Sequence, residues 1–184
     1  CGWMMWNWLI SALASGATIV LYDGSPSHPD LGALWRTVEK TGITHFGTSP
    51  KFLAACSNSG IEPKKEVDLS SVKSLLSTGA PLISEQFDWV YENIGSDIHL
   101  ASISGGTDIL GCFLGGSPIL PVHRGEIQCP QLGMNVQSWN TVGKSIIGES
   151  GELVCVRPFP SMPIGFWNDS NGLKYQSAYF EEFP

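Results

Sequence analysis

The sequence is poor in charged residues and has no long apolar run, and each absence excludes a class of protein. Charged residues make up 15% of the 184 positions, against about a quarter in an average soluble domain. Asp and Glu (17) outnumber Lys and Arg (10) and the net charge is −7, so a nucleic-acid-binding surface, which needs clustered positive charge, is not expected. No stretch of about 20 apolar residues is present, so no membrane span is expected. No basic run precedes an apolar segment, and a secretory signal is not expected either.

Several sequence motifs of metal and catalytic sites are also missing. The five cysteines are odd in number and none stands in CxxC spacing, so neither a zinc site nor a disulfide framework is predicted. We expect reduced, mostly buried thiols in a cytoplasmic protein. The four histidines are scattered without metal-ligand spacing. The chain contains no GxSxG, GxGxxG or GxxxxGK[ST] motif.

Apolar residues (42%), glycine (21) and proline (12) are plentiful. This composition fits one globular domain or a piece of a larger one. The chain starts at Cys1 without an initiator methionine and stops at Pro184. We therefore expect it to be a fragment whose partners include the missing parts of its own full-length chain.

Residues 1–110 show alternating helix and strand patterns. Helices are predicted over 3–15 (buried), from Leu31 to Gly42, over 50–57 and over 84–93, and strands over 17–22, 43–46, 74–77 and 98–102. This order predicts an α/β fold with a largely parallel sheet flanked by helices. From residue 111 short β runs at 126–129, 134–139 and 151–157 predict a small β-rich subdomain reaching residue 184.

Two loops that follow predicted strands are candidates for ligand binding. They are Ser77-Thr78-Gly79-Ala80-Pro81 and Ser104-Gly105-Gly106-Thr107-Asp108. Ligands of open parallel sheets bind beyond the carboxyl ends of the strands, and small residues let backbone N–H groups approach an anion. A threonine hydroxyl beside a carboxylate suits a nucleotide phosphate with Mg²⁺. The same residues also fit ordinary glycine-rich connections with a surface aspartate.

Several strings occur in an order and spacing that resemble the acyl-adenylate-forming (AMP-binding) superfamily, which includes acyl-CoA synthetases, luciferases and peptide-synthetase adenylation domains. They are residues 75–82, 104–108, 148–154 and 165–169. Within that superfamily, residues 2–8, 21–26, 102–108 and 124–128 are most similar to the ligases that join acetoacetate to coenzyme A. The resemblance covers essentially the whole chain.

The resemblance implies an activity and assigns roles to residues. In this superfamily a carboxylic acid attacks the α-phosphate of ATP, and the thiol of coenzyme A then displaces AMP from the acyl-adenylate. Mg²⁺ assists the first step. The matching positions in this sequence are Gly79, Ala80 and Pro81 against adenine; Ser102, Ile103, Ser104, Gly105 and Gly106 along the adenine and acyl pockets; Thr107 as the catalytic phosphate-contacting residue; and Asp108 for the metal. The bulky rings of Trp3 and Trp6 are further candidates for the wall of the acyl pocket, although tryptophans more often belong to a core.

This sequence departs from the superfamily pattern at two positions. Ser104 stands where a tyrosine is common, so a ring that would pack on adenine is absent, and Asp108 replaces a glutamate. Gly105 and Gly106 are expected to leave the acyl side open for a substrate larger than acetate. The phosphate loop with its lysine, the ribose-binding aspartate and the C-terminal domain of the superfamily are not among these residues. Two alternatives stay open: a synthetase for another short acyl or keto acid, and a non-catalytic remnant that serves as a binding module.

Overall fold

The computed structural model describes residues 2–183, except for the side chains of Trp3 and Met5. The chain forms two compact units, divided after Gln131. Antiparallel pairing begins at Ser104, before the predicted change of organisation at residue 111, and the division into compact units falls about twenty residues after that position. The domain boundary at 110/111 stays a prediction. Among the described residues, no helix has the length and apolarity that crossing a membrane requires.

The N-terminal segment is helical but largely exposed. It runs as a π-helix over Trp3–Trp8, a short helix α1 over Leu9–Ser11 and a 3₁₀ turn over Ala12–Ser15. It ends at Gly16, whose φ of 77° lies in the left-handed region that glycine adopts freely. The prediction of a buried helix is wrong, because its apolar residues on one side face solvent: Trp6 (54% exposed), Ile10 (43%) and Leu13 (52%).

Residues 17–22 form no strand, which corrects the prediction made from their β-branched side chains. A strand needs a partner that supplies backbone hydrogen bonds. None of the strands found within residues 2–183 pairs with this run. Leu21 and Tyr22 are accordingly exposed by 66% and 43%.

The first unit is built on a three-stranded parallel sheet, as predicted. Helices α2 (Ala33–Thr41), α3 (Pro50–Ser59), α4 (Pro63–Glu66) and α5 (Ser84–Asn93) accompany strands β1 (His45–Thr48), β2 (Ser74–Ser77) and β3 (His99–Ser102) in the order β1-β2-β3. Ser49 caps α3, because its hydroxyl accepts a hydrogen bond from the N–H of Phe52 at 3.3 Å. Helix α5 begins at Ser84, as the predicted range does.

The two faces of this sheet carry different residues because side chains alternate along a strand. Phe46, Leu75 and Leu100 lie side by side in register and belong to the main core. Trp35 of α2 and Phe87 of α5, each 1% exposed, pack into the same core. On the opposite face, Leu76 of β2 and Ala101 of β3 belong to a second apolar cluster with Met4 and Trp8 of the N-terminal segment.

Short antiparallel strands follow the parallel sheet. One sheet contains β4 (Ser104–Gly106), β5 (Gly111–Gly115) and β6 (Cys129–Pro130), and a second, in the other unit, contains β7 (Val136–Trp139), β8 (Ser145–Ile146) and β9 (Glu152–Cys155). The strand predicted at 126–129 is therefore confined to its last residue and Pro130. The second unit also contains a helix that the sequence did not indicate, α6 (Leu173–Phe180). Its first turn is held by Asp169, whose carboxylate accepts from the N–H groups of Lys174 and Tyr175.

Candidate functional site

The carboxyl ends of the three parallel strands lie side by side and each carries a hydroxyl. Thr48, Ser77 and Ser102 are the last residues of β1, β2 and β3, and they are paired in register. Helix α3 starts directly after β1, and α5 starts after the short loop that follows β2. Because helices in such units begin at the carboxyl edge of the sheet, the positive ends of two helix dipoles and their unpaired N–H groups are directed to this edge. The edge therefore favours an anionic ligand.

The loop after β2 begins at Thr78, which is bonded to both neighbouring strands. Its N–H donates to the carbonyl of Thr48 at 3.2 Å. Its hydroxyl donates to the carbonyl of Ile103 at 2.9 Å. The next residues, Gly79-Ala80-Pro81, are exposed. Gly79 has φ +95° and a side chain added there would meet nothing within 4 Å, so the backbone of this loop is open to close approach by a flat ligand.

The segment after β3 is a tight hairpin rather than the loop that the sequence predicted. Ser104–Gly106 pairs with β5 in antiparallel fashion, with a register irregularity between Ser104 and Gly105. Thr107 and Asp108 lie in the turn and are exposed. A Cβ on Gly106 would overlap Oδ1 of Asp108, so the glycine lets the carboxylate fold back over the β4 backbone. Ser102 and Ile103, just before the hairpin, are buried, and Ser104 is half-buried.

The room expected beside Gly105 is absent. A Cβ added to Gly105 would lie 2.2 Å from the carbonyl oxygen of Gly111 and 2.5 Å from the Cα of Cys112, so it would clash with both atoms. The missing side chain of Gly105 thus lets β4 approach the β5 backbone closely and does not open an acyl pocket. The expected room is therefore wrong at Gly105, while an open acyl side at Gly106, where only the Asp108 side chain lies within 4 Å of an added Cβ, stays a prediction. Lining of the pocket by the Gly105 backbone stays a prediction.

Of the two tryptophans predicted to line the acyl pocket, only Trp6 has a side chain that the structure describes. Trp6 is 54% exposed on the N-terminal segment, and its contact with a substrate stays a prediction. The side chain of Trp3 lies outside the described residues. Among the described side chains of this segment, those of Met4 and Trp8 reach the sheet and lie 3.4 Å and 3.6 Å from a Cβ position at Gly47 of β1.

No cluster of metal ligands is present in the described part of the chain, where no three His, Cys, Asp or Glu residues come together. Mg²⁺ nevertheless needs only one or two carboxylates when substrate phosphates and water supply the other oxygens. Asp108, exposed in the β4–β5 turn, fits that role as a single ligand.

Four cysteines of the described residues are free, and only Cys56 is fully buried; Cys112, Cys129 and Cys155 are half-buried. The expectation of mostly buried thiols is therefore corrected. Burial raises the pKa of the Cys56 and Cys112 thiols above the usual range. Both stay protonated at neutral pH, so Cys112, next to Gly105, is not a reactive thiolate.

Thr48 is a residue of the carboxyl edge that the sequence patterns do not indicate, whereas Ser77 and Thr78 belong to a predicted ligand loop. Thr48 ends β1 with a hydroxyl as Ser77 and Ser102 end β2 and β3. The hydroxyl of Ser77 is buried and forms no hydrogen bond within the described residues. The hydrogen bonds of Thr78 are not evident from its place in that loop. A hydroxyl residue at the end of each parallel strand is the signal that could have identified this edge.

Comparison with known proteins agrees with this architecture. The family model described as AMP-binding enzyme matches residues 2–163. The chain belongs to the AMP-binding enzyme family. The matched range contains both loops at the carboxyl edge and the hairpin turn with Thr107 and Asp108. The roles of individual residues of this AMP-binding chain stay predictions.

Several similar proteins are acetoacetyl-CoA synthetases. The chain is 55% identical over 183 residues to an acetoacetyl-coenzyme A synthetase of Rhizobium meliloti and 52% identical to an acetoacetyl-CoA synthetase of Xenopus tropicalis, in both cases over 100% of this chain. The solved acetoacetyl-CoA synthetase of Streptomyces lividans superposes with a TM-score of 0.92 at 49% identity, over 99% of this chain and 29% of that one. The chain spans 28% and 27% of the lengths of the Rhizobium and Xenopus relatives.

Proposed function

We propose that this chain is the nucleotide-binding part of an ATP-dependent acid–thiol ligase that activates acetoacetate and transfers it to coenzyme A. The observation that carries the proposal is the carboxyl edge of the sheet, where the exposed Gly79-Ala80-Pro81 loop and the β4 hairpin leave neighbouring strands. Identity of 49–55% to acetoacetyl-CoA synthetases over nearly the whole chain supports acetoacetate as the acid.

The proposed reaction has two steps. A carboxylate oxygen of acetoacetate attacks the α-phosphorus of ATP, a P–O bond forms, and the bond to pyrophosphate breaks. The sulfur of coenzyme A then attacks the acyl carbon, a C–S bond forms, and the C–O bond to AMP breaks, while the thiol proton passes to a base or solvent. The work of the protein in such steps is to orient the reactants and to stabilise the charge that develops.

The residues at the carboxyl edge have distinct proposed roles in the first step. The backbone of Gly79-Ala80-Pro81 lies against adenine, which the open space at Gly79 permits. Thr107, exposed in the turn, donates its hydroxyl to a phosphate oxygen. The N-termini of α3 and α5 favour negative charge nearby. Ser102 to Gly106 form the wall between the adenine and acyl sides.

Mg²⁺ supplies positive charge to the phosphates when it is bound. Asp108 would hold it through one carboxylate oxygen. Asp108 lies in the exposed turn that also carries Thr107, and its carboxylate occupies the space that a Cβ on Gly106 would take. A lone carboxylate beside phosphates fits the coordination that Mg²⁺ prefers.

We also propose that the protein works in the cytoplasm, in ketone-body and lipid metabolism. The free thiols of Cys56, Cys112, Cys129 and Cys155 support a reducing compartment. Acetoacetate is a ketone body, and its coenzyme A ester is a building block for lipids. Fractionation of cells that express the full-length protein tests the compartment.

A panel of acids tests the proposed reaction. The full-length protein that contains this chain is assayed for acid-dependent ATP–pyrophosphate exchange and for coenzyme A ester formation with acetoacetate, acetate, propionate and 3-hydroxybutyrate. We expect kcat/KM for acetoacetate to exceed that for acetate by at least about tenfold. Preference for another acid of the panel supports the alternative synthetase. Binding of AMP without exchange for any acid supports the non-catalytic binding module.

A further inference from the structure

Thr78 connects two ligand loops through one side chain. It is the first residue beyond β2, and its hydroxyl donates at 2.9 Å to the carbonyl of Ile103, the first residue beyond β3. Ile103 in turn donates its N–H to the carbonyl of Ser77 at 2.9 Å. The β2–β3 ladder is thereby extended past the ends of both strands by a side chain in place of a backbone donor.

The N–H of Thr78 forms a hydrogen bond to β1, the third strand of the sheet. It donates to the carbonyl of Thr48 at 3.2 Å. A single residue therefore links the exits of β1, β2 and β3, although Thr48, Thr78 and Ile103 are far apart in the sequence. Directly after Thr78 comes the exposed Gly79-Ala80-Pro81 loop, and directly after Ile103 comes the β4 hairpin with Thr107 and Asp108.

We propose that Thr78 is a positioning residue that sets the distance between the adenine-binding loop and the β4 hairpin, through its hydrogen bond to Ile103. This inference rests on the proposed function, which places adenine on one loop and phosphate on the other. A nucleotide that touches both loops binds tightly only when their spacing matches its length. Small misplacements of the groups that hold a substrate reduce rates by up to about 100-fold.

The hydroxyl is the feature that matters in this arrangement. Valine has nearly the shape of threonine but no donor, so Thr78→Val leaves the half-buried carbonyl of Ile103 without that partner. Serine keeps the donor and loses only a methyl group. Thr78→Ser should therefore retain the spacing, and Thr78→Val should not.

The structure offers a matched control on the same two strands. Ser74, the first residue of β2, donates its hydroxyl to the carbonyl of His99, the first residue of β3, at 3.1 Å. Ser74→Ala removes a bond of the same kind between the same strands, together with a 3.3 Å contact of the hydroxyl with Nδ1 of His99, but at the amino edge of the sheet. Both Thr78→Val and Ser74→Ala are expected to lower stability. Only Thr78→Val, at the carboxyl edge, is expected to weaken nucleotide binding.

The test measures AMP affinity by calorimetry and adenylate formation by ATP–pyrophosphate exchange, in the full-length protein. We expect Thr78→Val to weaken AMP binding about tenfold and to lower kcat/KM for ATP by at least as much. Thr78→Ser and Ser74→Ala should stay within about twofold of the wild type. If Thr78→Val does not fold, Thr78→Cys, a weaker donor of similar size, should show an intermediate loss of AMP affinity.

Three results would overturn the assignment: wild-type AMP affinity in Thr78→Val, an equal loss in Ser74→Ala, or an equal loss in Thr78→Ser. The AMP measurement separates this inference from the proposed function. A wild-type protein that binds AMP and activates no acid refutes the ligase, while the variants still decide the role of Thr78. A wild-type protein that does not bind AMP refutes both.

Discussion

At Gly105 the backbone of β5 occupies the volume that a side chain would take. A Cβ there would lie 2.5 Å from the Cα of Cys112, a separation that only a backbone shift can relieve. Gly111, in the same hairpin, differs, because its added Cβ would come no closer than 3.8 Å to the carbonyl of Ile109. Two glycines of one hairpin therefore respond differently to the same substitution.

Gly105→Ala is expected to destabilise the full-length protein by about 1–3 kcal/mol, the usual cost of overpacking. Activity with acetoacetate and with acetate should fall together, because the change acts on strand pairing and not on the acyl side. Gly111→Ala, the matched control, should shift the free energy of unfolding by less than about 0.5 kcal/mol. A selective loss of acetoacetate activity in Gly105→Ala would instead return Gly105 to the acyl pocket.

Asp108 is the second residue whose role a single substitution tests. Asp108→Ala should lower ATP–pyrophosphate exchange by at least about tenfold, because a carboxylate that holds Mg²⁺ helps to neutralise charge as pyrophosphate leaves. Asp97→Ala changes an exposed carboxylate that precedes β3, at the amino edge of the sheet, and should have no effect. Circular dichroism checks that both variants are folded. Exchange at the wild-type rate in Asp108→Ala removes this residue from the site.

At the scale of elements, an ion pair ties α5 to the segment that leads into β6. The guanidinium of Arg124 donates to both carboxylate oxygens of Asp88, at 2.8 Å and 2.7 Å. These hydrogen bonds hold the pKa of Asp88 below its ordinary value of 3.8. Gly125, with φ +81°, follows at once and turns the chain beside Ser84 of α5.

The ion pair predicts an acid-dependent difference in stability. Because the pKa of Asp88 is lowered in the folded state, its contribution is complete at pH values above the unfolded pKa of about 3.9. The contribution is lost as the pH falls through the lower, folded pKa. Urea unfolding measured from pH 6 to pH 2.5 gives the free energy of unfolding of both proteins. Above about pH 4 this free energy should be lower for Asp88→Asn than for the wild type, and the difference should shrink below that pH.

Arg124→Gln removes the same pair from the other side and should flatten the pH dependence in the same way. Both differences should be small and should decrease in 1 M salt, because both side chains are about half exposed. A wild-type advantage that grows on acidification would contradict the assignment of the pair.

At the scale of the whole molecule, large apolar side chains are exposed on both compact units. On the first unit they include Trp6, Ile10, Leu13 and Leu21, and on the second Leu132, Ile147, Ile164 and Trp167. Several large apolar side chains exposed on one short segment, such as Trp6, Ile10 and Leu13, commonly mark a surface that another segment or partner covers. The curated relatives are more than three times as long as this chain, and in a longer protein further segments are available to cover such surface.

The 184 residues expressed alone are therefore expected to associate. Light scattering after gel filtration should give an apparent mass that rises with protein concentration above the 19.9 kDa of the monomer. The double variant Ile10→Lys with Leu13→Lys should reduce association without lowering the melting temperature, since both side chains are exposed. A monomer with a cooperative melt at every concentration would contradict this expectation.

Local patterns in the sequence determined the parallel sheet and most of its helices. Helix α3 begins at Ser49-Pro50, α2 ends at Gly42, and the predicted strand Ser74–Ser77 is β2. Each of these signals is a cap, a left-handed glycine or an alternation of side chains and involves only a few neighbouring residues. It can therefore be recognised in the sequence without knowledge of the fold. The two loops at the carboxyl edge were located in the same way, because they follow recognisable strands.

The contacts that those elements make with distant parts of the chain were decided only by the tertiary structure. Residues 17–22 have strand-forming side chains but pair with no strand among residues 2–183, and Trp6, Ile10 and Leu13 of the N-terminal helix are exposed. A strand partner and a covering surface can come only from residues distant in the sequence, which local patterns do not reveal. The alignment of Thr48, Ser77 and Ser102 depends on strand register, which is set by packing across the sheet. The bond from Thr78 to Ile103 and the crowding at Gly105 arise from that alignment and from the β4–β5 pairing, since they join residues that approach one another only after the strands have paired.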